Sequence, residues 1–358
     1  MIKNKCVLVC PSCTDFLYDS NFPIGGMNIQ MYMWAQTFID HGWDVYSLTH
    51  LQQHKNVKKD GVNHIFFKRR NHFEAFFIYF YYLYVLMKYH PSLVIVRGRG
   101  LSIHPLSIYS KLMGIKLVFM VAADTNMDKG HEAKANFATK MFRRAIKQVD
   151  YIIAQNTVQQ EQIAKYYHKD SIIIPNIWRN VFVNDSTDRT DEVVWVGNVK
   201  KVKRPSWFLD LAERFPQYRF VMIGGSPRDG KMYNESCQRA RALSNVEFAG
   251  RMEFKEADAR IQKAKVLVCT SISEGFPNTF LQAWSNNVPV VSTVNPNDII
   301  TENQMGFVGD SVDALSDGLT ALMQNNALYA QYANNVANYF KTAHNPDVLF
   351  TKLMDYIK

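Results

Sequence analysis

The chain has 358 residues, of which 47% are hydrophobic and 20% charged, so it can bury a large core and is not globally disordered. At roughly 150 residues per domain, this length predicts two or three domains. Five cysteines are too few for a disulfide scaffold and fit a reducing compartment. The net charge of +9 is concentrated, because residues 1–180 hold 22 basic against 12 acidic residues and residues 181–358 hold 19 against 20. The two halves are therefore expected to meet different partners.

The first half of the chain alternates short apolar runs with helical stretches, a pattern typical of a buried parallel sheet. Helices are predicted over 27–40 and 73–89. The predicted strands are 5–10, 45–48, 64–67, 93–96, 117–121, 151–154 and 172–174. The longest apolar run, 76–87, has twelve residues, whereas a membrane-spanning helix needs about 20. The run at 6–10 is too short for a signal-peptide core, so a cytoplasmic protein is expected.

Polar residues without periodicity occupy 184–191, and we place the linker between two domains there. The alternation then resumes, with strands predicted at 193–196, 220–223, 246–248, 266–269 and 288–291. Helices are predicted around 205–215, 233–243, 255–263 and 278–284, and from 309 to the end. This order predicts two doubly wound α/β domains, 1–180 and 190–342, with ligands in the cleft between them.

A basic cluster follows the strand 193–196 and precedes a helix that Pro205 is suited to open. After Gly197 and Asn198, the cluster consists of Lys200, Lys201, Lys203 and Arg204. Basic side chains at the carboxyl end of a strand suit a diphosphate. The alternative is a solvated basic loop without a ligand.

A second cluster follows the strand 266–269. Gly275 permits close backbone approach, and Pro277 and Asn278 begin a predicted helix. Glu274, just before this helix, has a carboxylate that can accept hydrogen bonds from sugar hydroxyls. The alternative is that Glu274 only caps the helix.

Together the two clusters resemble the nucleotide-sugar glycosyltransferases of family 4, whose GT-B fold has two Rossmann-like domains facing a cleft. Gly197, Asn198 and Lys203 match the family's element of a glycine, an arginine and a lysine, with Lys203 five positions after Asn198. Glu274 and Gln282 match its glutamate–seven–glutamate element. The resemblance implies that Lys203 binds the donor diphosphate, Glu274 the transferred sugar and Gln282 the nucleotide ribose. It is strongest over 193–309 and covers most of the chain.

The chain departs from the family pattern at two positions. Asn198 replaces the usual arginine, so a phosphate contact is missing there, and Arg204 or Lys201 is the candidate to replace it. Gln282 replaces the second glutamate, although an amide can still hydrogen-bond a ribose hydroxyl. The other donor-binding residues that the resemblance implies are Gly275, Phe276, Pro277 and Asn278. Together with Lys203 and Arg204, these residues resemble the pattern of a bacterial subgroup that serves surface polysaccharides.

The N-terminal half matches the family more loosely. Gly25 and Gly26 resemble the family's glycine-rich loop, whose backbone approaches the donor phosphates, and a plain tight turn is the alternative. Asp124 follows the strand 117–121 at the level where relatives carry a residue near the reacting sugar. Asp128 is a second candidate, and a helix-capping role stays open. The resemblance also implies that the last helix, about 343–358, packs back onto the N-terminal domain.

The implied function is transfer of a sugar from a nucleotide diphosphate-sugar to a glycan or lipid-linked acceptor in polysaccharide biosynthesis, with retained configuration. No essential metal or other cofactor is expected, and the sequence has neither Asp-x-Asp nor His-Glu-x-x-His. A nucleotide-sugar epimerase of similar architecture and a non-enzymatic two-domain binding protein are the alternatives. A nucleic-acid partner is not expected, because the basic surplus is not tied to a recognition motif.

A membrane contact is a further hypothesis. Lys68, Arg69 and Arg70 directly precede the aromatic run 73–84, and Lys88 follows it. Basic residues beside aromatic ones suit an anionic membrane surface. The alternative is that 76–87 is an all-round apolar core helix. The expectation is weak, salt-sensitive, peripheral contact at the inner face of the membrane.

Overall fold

The computed structural model describes residues 4–9, 26–49, 56–66, 74–123, 126–127, 137–179, 189–225 and 230–358. The chain divides into two compact units. The first is Met1–Ile177 together with Pro346–Lys358, and the second is Trp178–Asn345. Most of the predicted linker falls in 180–188, outside the described residues.

The first unit contains an eight-stranded sheet in the order β3-β4-β2-β1-β5-β6-β7-β8. Only β3 is antiparallel to its neighbour, within the described residues, and the other pairs are parallel. The strands are β1 Lys5–Val9, β2 Asp44–Thr49, β3 Val57–Lys59, β4 Val62–Phe66, β5 Leu93–Arg97, β6 Lys116–Met120, β7 Tyr151–Ala154 and β8 Ile172–Ile173. The central strands β1, β5 and β6 are apolar apart from one basic residue at an end of each, as expected for a parallel sheet with helices on both faces.

In the part of the chain that the structure describes, five helices connect these strands: α1 Gly26–Asp40, α2 Glu74–Tyr89, α3 Ile103–Met113, α4 Phe137–Ile146 and α5 Thr157–Tyr167. Helices α2, α3 and α4 contribute to one hydrophobic core with the sheet. The alternative prediction, that the run 76–87 is a core helix apolar all round, holds for one side of α2 only. Tyr82, Val85 and Leu86 are buried, whereas Phe80 and Met87 are more than half exposed.

The second unit contains a fully parallel six-stranded sheet in the order β11-β10-β9-β12-β13-β14. The strands are β9 Glu192–Val196, β10 Arg219–Ile223, β11 Val246–Gly250, β12 Val266–Cys269, β13 Val290–Ser292 and β14 Gly306–Val308. The helices are α6 Pro205–Arg214, α7 Gly230–Arg241, α8 Phe254–Lys263, α9 Asn278–Ser285, α10 Ile299–Glu302, α11 Val312–Gln324 and α12 Asn326–Ala343. The prediction of two doubly wound α/β domains is confirmed.

A last helix, α13 Pro346–Tyr356, belongs to the first unit although it follows the second in sequence. Its Phe350 ring stacks on His41 with the ring centroids 3.8 Å apart. Lys116 Nζ donates a hydrogen bond to the carbonyl oxygen of Ile357 at 2.6 Å. Leu353 is completely buried. The structure thus divides the chain at residues 345 and 346, close to the 342 boundary expected from the sequence.

Candidate functional site

The two sequence clusters meet at the point where the strand order of the second sheet reverses. From β9 the chain moves outward to β10 and β11, and then returns to place β12 on the other side of β9. Val193 and Val194 pair with Val266 and Leu267, so the carboxyl ends of β9 and β12 are neighbours. Ligands of open α/β sheets bind at such a switch point.

Lys203 and Glu274, predicted from separate motifs, form an ion pair between Nζ and Oε1. Their side chains are 28% and 18% exposed, so solvent still reaches the pair. Ser271 Oγ donates a second hydrogen bond to the same carboxylate oxygen at 2.7 Å. An ammonium group beside a carboxylate offers one partner for a phosphate and one for a sugar hydroxyl.

Glu274 is not the N-cap residue of the following helix. Helix α9 begins at Asn278, and its N-cap residue is Pro277, which makes no side-chain cap hydrogen bond. The Glu274 carboxylate is directed instead to Lys203 and Ser271. The contacts that the structure gives for this carboxylate therefore join the two clusters, and a role of Glu274 in ligand binding stays a prediction.

Arg204 connects the two clusters. Its Nε donates to the carbonyl oxygen of Thr270 at 2.7 Å, and one terminal nitrogen donates to that of Ser271 at 3.1 Å. The guanidinium also lies over the Trp207 ring, 3.8 Å from the ring centroid. Its backbone has a φ of 43°, and Pro205 follows as the first residue of α6. The suggested phosphate contact of Arg204 stays a prediction, since these bonds already use two of its nitrogens.

Thr270 and Ser271 are site residues that the sequence interpretation missed. Thr270 Oγ1 accepts a hydrogen bond from Trp195 Nε1 at 3.1 Å and donates to the Lys203 carbonyl oxygen at 2.6 Å. It thereby fixes the backbone that carries Lys203. In the sequence these two residues could have been noticed as a pair of hydroxyl side chains directly after the buried strand β12.

Backbone segments approach closely beside Lys203. Gly197 N donates to the carbonyl oxygen of Ile223 at 3.0 Å, and Val199 N to that of Gly225 at 2.9 Å. A Cβ on Gly224 would lie 1.9 Å from the Gly197 oxygen, so only glycine fits there. Gly224 was also missed, because this contact depends on which strands are neighbours.

The remaining residues of the basic cluster face outward. Lys200 and Lys201 are exposed, and Asn198 is half-buried. The Asn198 side chain makes no hydrogen bond within the described ranges. An unengaged amide at this place can serve a ligand, although it brings no charge to a phosphate.

The loop after Glu274 is held by its aromatic residue. Phe276 is 6% exposed and packs edge-on against Trp284, with ring centroids 6.1 Å apart at 82°. It also contacts the His344 ring. Phe276 therefore anchors Gly275 and Pro277 to the core, whereas the sequence had suggested donor binding for it.

Gln282 lies on α9 with its side chain only 4% exposed. It hydrogen-bonds the carboxyl group of Asp258 on α8. Burial raises the pKa of Asp258 from its ordinary value of 3.8 to about 6, and the bond to Gln282 partly opposes this. Asp258 Oδ1 has no partner among the described atoms. Sequence reasoning did not single out Asp258, because a single acidic residue in a predicted helix gives no sign that its side chain is buried.

Several predicted residues are not placed in this site. Gly26 is the first residue of α1, in the other unit. Gly25, Asp124, Asp128 and the Lys68–Arg70 segment lie outside the described residues. Among those described, no group of three or more His, Cys, Asp or Glu could hold a metal ion. No helix in the same part of the chain is long and apolar enough to cross a membrane.

The two Rossmann-like units define the GT-B fold of glycosyltransferases. The crystal structure of Anabaena Alr3699/HepE in complex with UDP and glucose has a TM-score of 0.75 to this chain at 12% identity, over 99% of both chains. Residues 176–339 match the sequence family described as Glycosyl transferases group 1. The matched segment contains Lys203, Glu274 and Gln282.

Two relatives extend this comparison. One subunit of the phosphatidylinositol N-acetylglucosaminyltransferase of Homo sapiens is 22% identical over 365 residues, 92% of this chain and 71% of the relative. The Vi polysaccharide biosynthesis protein VipC/TviE of Salmonella typhi is 28% identical over 149 residues, 39% of this chain and 25% of that protein. The findings together support a glycosyltransferase with the GT-B fold.

Proposed function

We propose that this protein transfers a sugar from a nucleotide diphosphate-sugar to a glycan or lipid-linked acceptor in polysaccharide biosynthesis. The observation that carries the proposal is the Lys203–Glu274 pair at the strand switch point. An ammonium group suits the donor diphosphate, and the adjacent carboxylate suits the hydroxyls of the sugar. UDP and glucose in the Anabaena neighbour support a donor of this class.

In the proposed reaction the bond between the sugar and the diphosphate breaks, and negative charge grows on the departing phosphate oxygen. Lys203 stabilises this charge more strongly in the transition state than in the ground state, which raises kcat. Before the donor binds, Lys203 is paired with Glu274. The diphosphate then takes the ammonium group while a sugar hydroxyl donates to the carboxylate.

We further propose that the anomeric configuration is retained and that no metal takes part, as in family 4. Retention would then rest on positioning of donor and acceptor. Exclusion of water would protect the donor from hydrolysis. Asp124 is the proposed residue near the reacting sugar. The proposed subgroup serves bacterial surface polysaccharides, in the cytoplasm with peripheral contact at the inner face of the membrane.

A thermal-shift panel of nucleoside diphosphates tests the donor site. The donor's own nucleotide at about 100 times its Kd should stabilise the protein by about 2.7 kcal/mol. A panel without any stabilising nucleotide would contradict the proposal.

Incubation of the matching nucleotide-sugar with and without acceptor separates the alternatives. Transfer requires acceptor and yields the nucleoside diphosphate together with a glycosylated product. An epimerase would consume the donor without acceptor, and a binding protein would show no turnover.

A further inference from the structure

Helix α2 exposes an apolar face. Phe77, Phe80, Tyr84 and Met87 are each more than half exposed. Their spacing of three, four and three residues places them on one side of the helix. The opposite side, with Tyr82 among others, is buried in the core of the first unit. Large apolar side chains grouped in this way indicate a surface that meets an apolar partner.

The next two helices along the chain, α3 and α4, continue this surface. Helix α3 packs against both α2 and α4. Tyr82 of α2 donates a hydrogen bond to Ser102 Oγ at 2.8 Å, directly before α3, and Arg99 donates to Thr139 of α4 at 2.6 Å. Leu112 on α3 is 78% exposed, and Phe137 on α4 is 73% exposed. We call the exposed sides of α2, α3 and α4 the aromatic-basic surface.

The exposed charged side chains that the structure describes on this surface are basic. The exposed basic residues of the three helices and of the turn after α4 are Lys88, Lys111, Lys140, Arg144 and Lys147. The sequences of α2, α3 and α4 contain one acidic residue, Glu74. Lys111 is adjacent to Leu112, and Lys140 and Arg144 follow Phe137 at three and seven residues. Apolar side chains that enter an interface and cations that surround them fit anionic lipid headgroups.

We infer that the aromatic-basic surface docks the first unit onto an anionic lipid bilayer. The inference deepens the proposed function, on which its biological use rests, by naming the residues that meet the membrane. The contact is peripheral, since α2 has 16 residues and a spanning helix needs about 20. A protein partner that covered this surface would need acidic residues opposite five basic side chains. An anionic bilayer carries negative charge over its whole surface.

Vesicle co-sedimentation tests the inference with the full chain. One set of vesicles is phosphatidylcholine alone, and the other is two parts phosphatidylcholine to one part phosphatidylglycerol. Binding is expected to the anionic vesicles only, and to be lost in high salt, where the Debye length is about 3 Å. Each basic residue near such a surface strengthens binding by about fivefold, so the Lys111→Glu, Lys140→Glu, Arg144→Glu variant should lose at least about 100-fold.

The matched control reverses three exposed basic residues outside this surface: Arg241→Glu, Lys341→Glu and Lys352→Glu. It has the same net charge as the test variant and should lose much less binding. The apolar part is tested by Phe80→Ser with Leu112→Ser, which should weaken binding about tenfold or more without a change in charge.

Three outcomes would overturn the inference. They are no binding to anionic vesicles at low salt, equal loss in the test and control variants, and a dimer without lipid that Phe80→Ser with Leu112→Ser dissociates. The last outcome would assign the surface to a second copy of the chain. Nucleotide stabilisation of the same variants keeps the two proposals apart, because it depends on the second unit and should not change.

Discussion

Lys203 and Glu274 share one hydrogen bond before any ligand is present, and in the proposed function each side chain binds the donor after that bond opens. We expect Lys203→Ala to lower kcat/KM by about 100-fold, because hydrogen bonds to charged groups contribute about 1.5–3 kcal/mol. Lys200→Ala removes an exposed lysine from the same loop and should leave kcat/KM within about twofold. Steady-state kinetics of both variants check this, and equal effects would contradict the site.

Glu274→Gln separates binding from turnover. The variant frees Lys203 from its internal partner, so the nucleoside diphosphate should bind up to about fivefold more tightly, in line with about 1 kcal/mol for a solvent-reached pair. Turnover should fall, since the carboxylate that orients the sugar is gone. The prediction is tested by nucleotide Kd values from calorimetry and by kcat values, both measured for wild type and for the variant. Weaker nucleotide binding would show that Glu274 supports the phosphate site instead.

Asp258 predicts a pH-dependent stability difference. Its pKa is raised by burial from 3.8 to about 6, so the folded state disfavours the ionised form. The contribution of Asp258 to stability therefore falls as pH rises between about 4 and 6, and the cost, on the order of 3 kcal/mol, remains above pH 6. Asp258→Asn lacks this loss and should gain in unfolding free energy relative to wild type between pH 4 and pH 7. Urea unfolding of wild type and variant at both pH values checks this prediction. A difference in unfolding free energy that stays constant with pH would exclude a raised pKa of Asp258.

Motif spacing in the sequence singled out Lys203 and Glu274, and the structure places these two side chains in contact. Ser271 and Gly224 were not singled out, since their importance comes from the adjacency of β9 to β12 and of β9 to β10. No local pattern reports which strands become neighbours. The burial of Gln282 against Asp258 is likewise a contact between two helices, α8 and α9.

Among the elements, the buried strands were the most predictable. β7 and β12 have the predicted bounds, because each is a short apolar run between polar residues. The edge strand β3 was missed, since Val57–Lys59 is exposed throughout and has no apolar pattern. Helix α3 was missed too, where Pro105 in its first turn resembles a break in the chain.

The close approach between the backbone segments that follow β9 and β10 gives a prediction about the packing of these two strands. Gly224→Ala would place a Cβ 1.9 Å from the Gly197 carbonyl oxygen, so the strands must move apart. We expect a loss of about 2 kcal/mol or more in unfolding free energy, together with weaker nucleotide binding. Gly225→Ala is the control, because its Cβ would meet Arg251 at an ordinary 3.5 Å. Similar losses in both variants would mean that the close approach is not the cause.

For the whole molecule, the decisive feature is that α13 returns to the first unit. Leu353 is fully buried there, so Leu353→Ala should lower the unfolding free energy by about 2–5 kcal/mol. Val348, on the same helix, is 54% exposed, and Val348→Ala should change it by less than about 0.5 kcal/mol. Calorimetry should show the loss in one of two transitions. The transition that a bound nucleotide raises should stay unchanged, and a shift of both would contradict separate units.

The position of α13 also sets an order of events during synthesis. Phe38 of α1 packs edge-on against Phe350, with ring centroids 5.1 Å apart, and nothing can cover that side until Phe350 has left the ribosome. The whole second unit is made in between, which takes roughly 10–30 s at about 5–20 residues per second. The second unit can therefore complete its sheet while the first still lacks the contact between Phe38 and Phe350. Completion of the first unit therefore waits for the last residues of the chain, when α13 packs on α1.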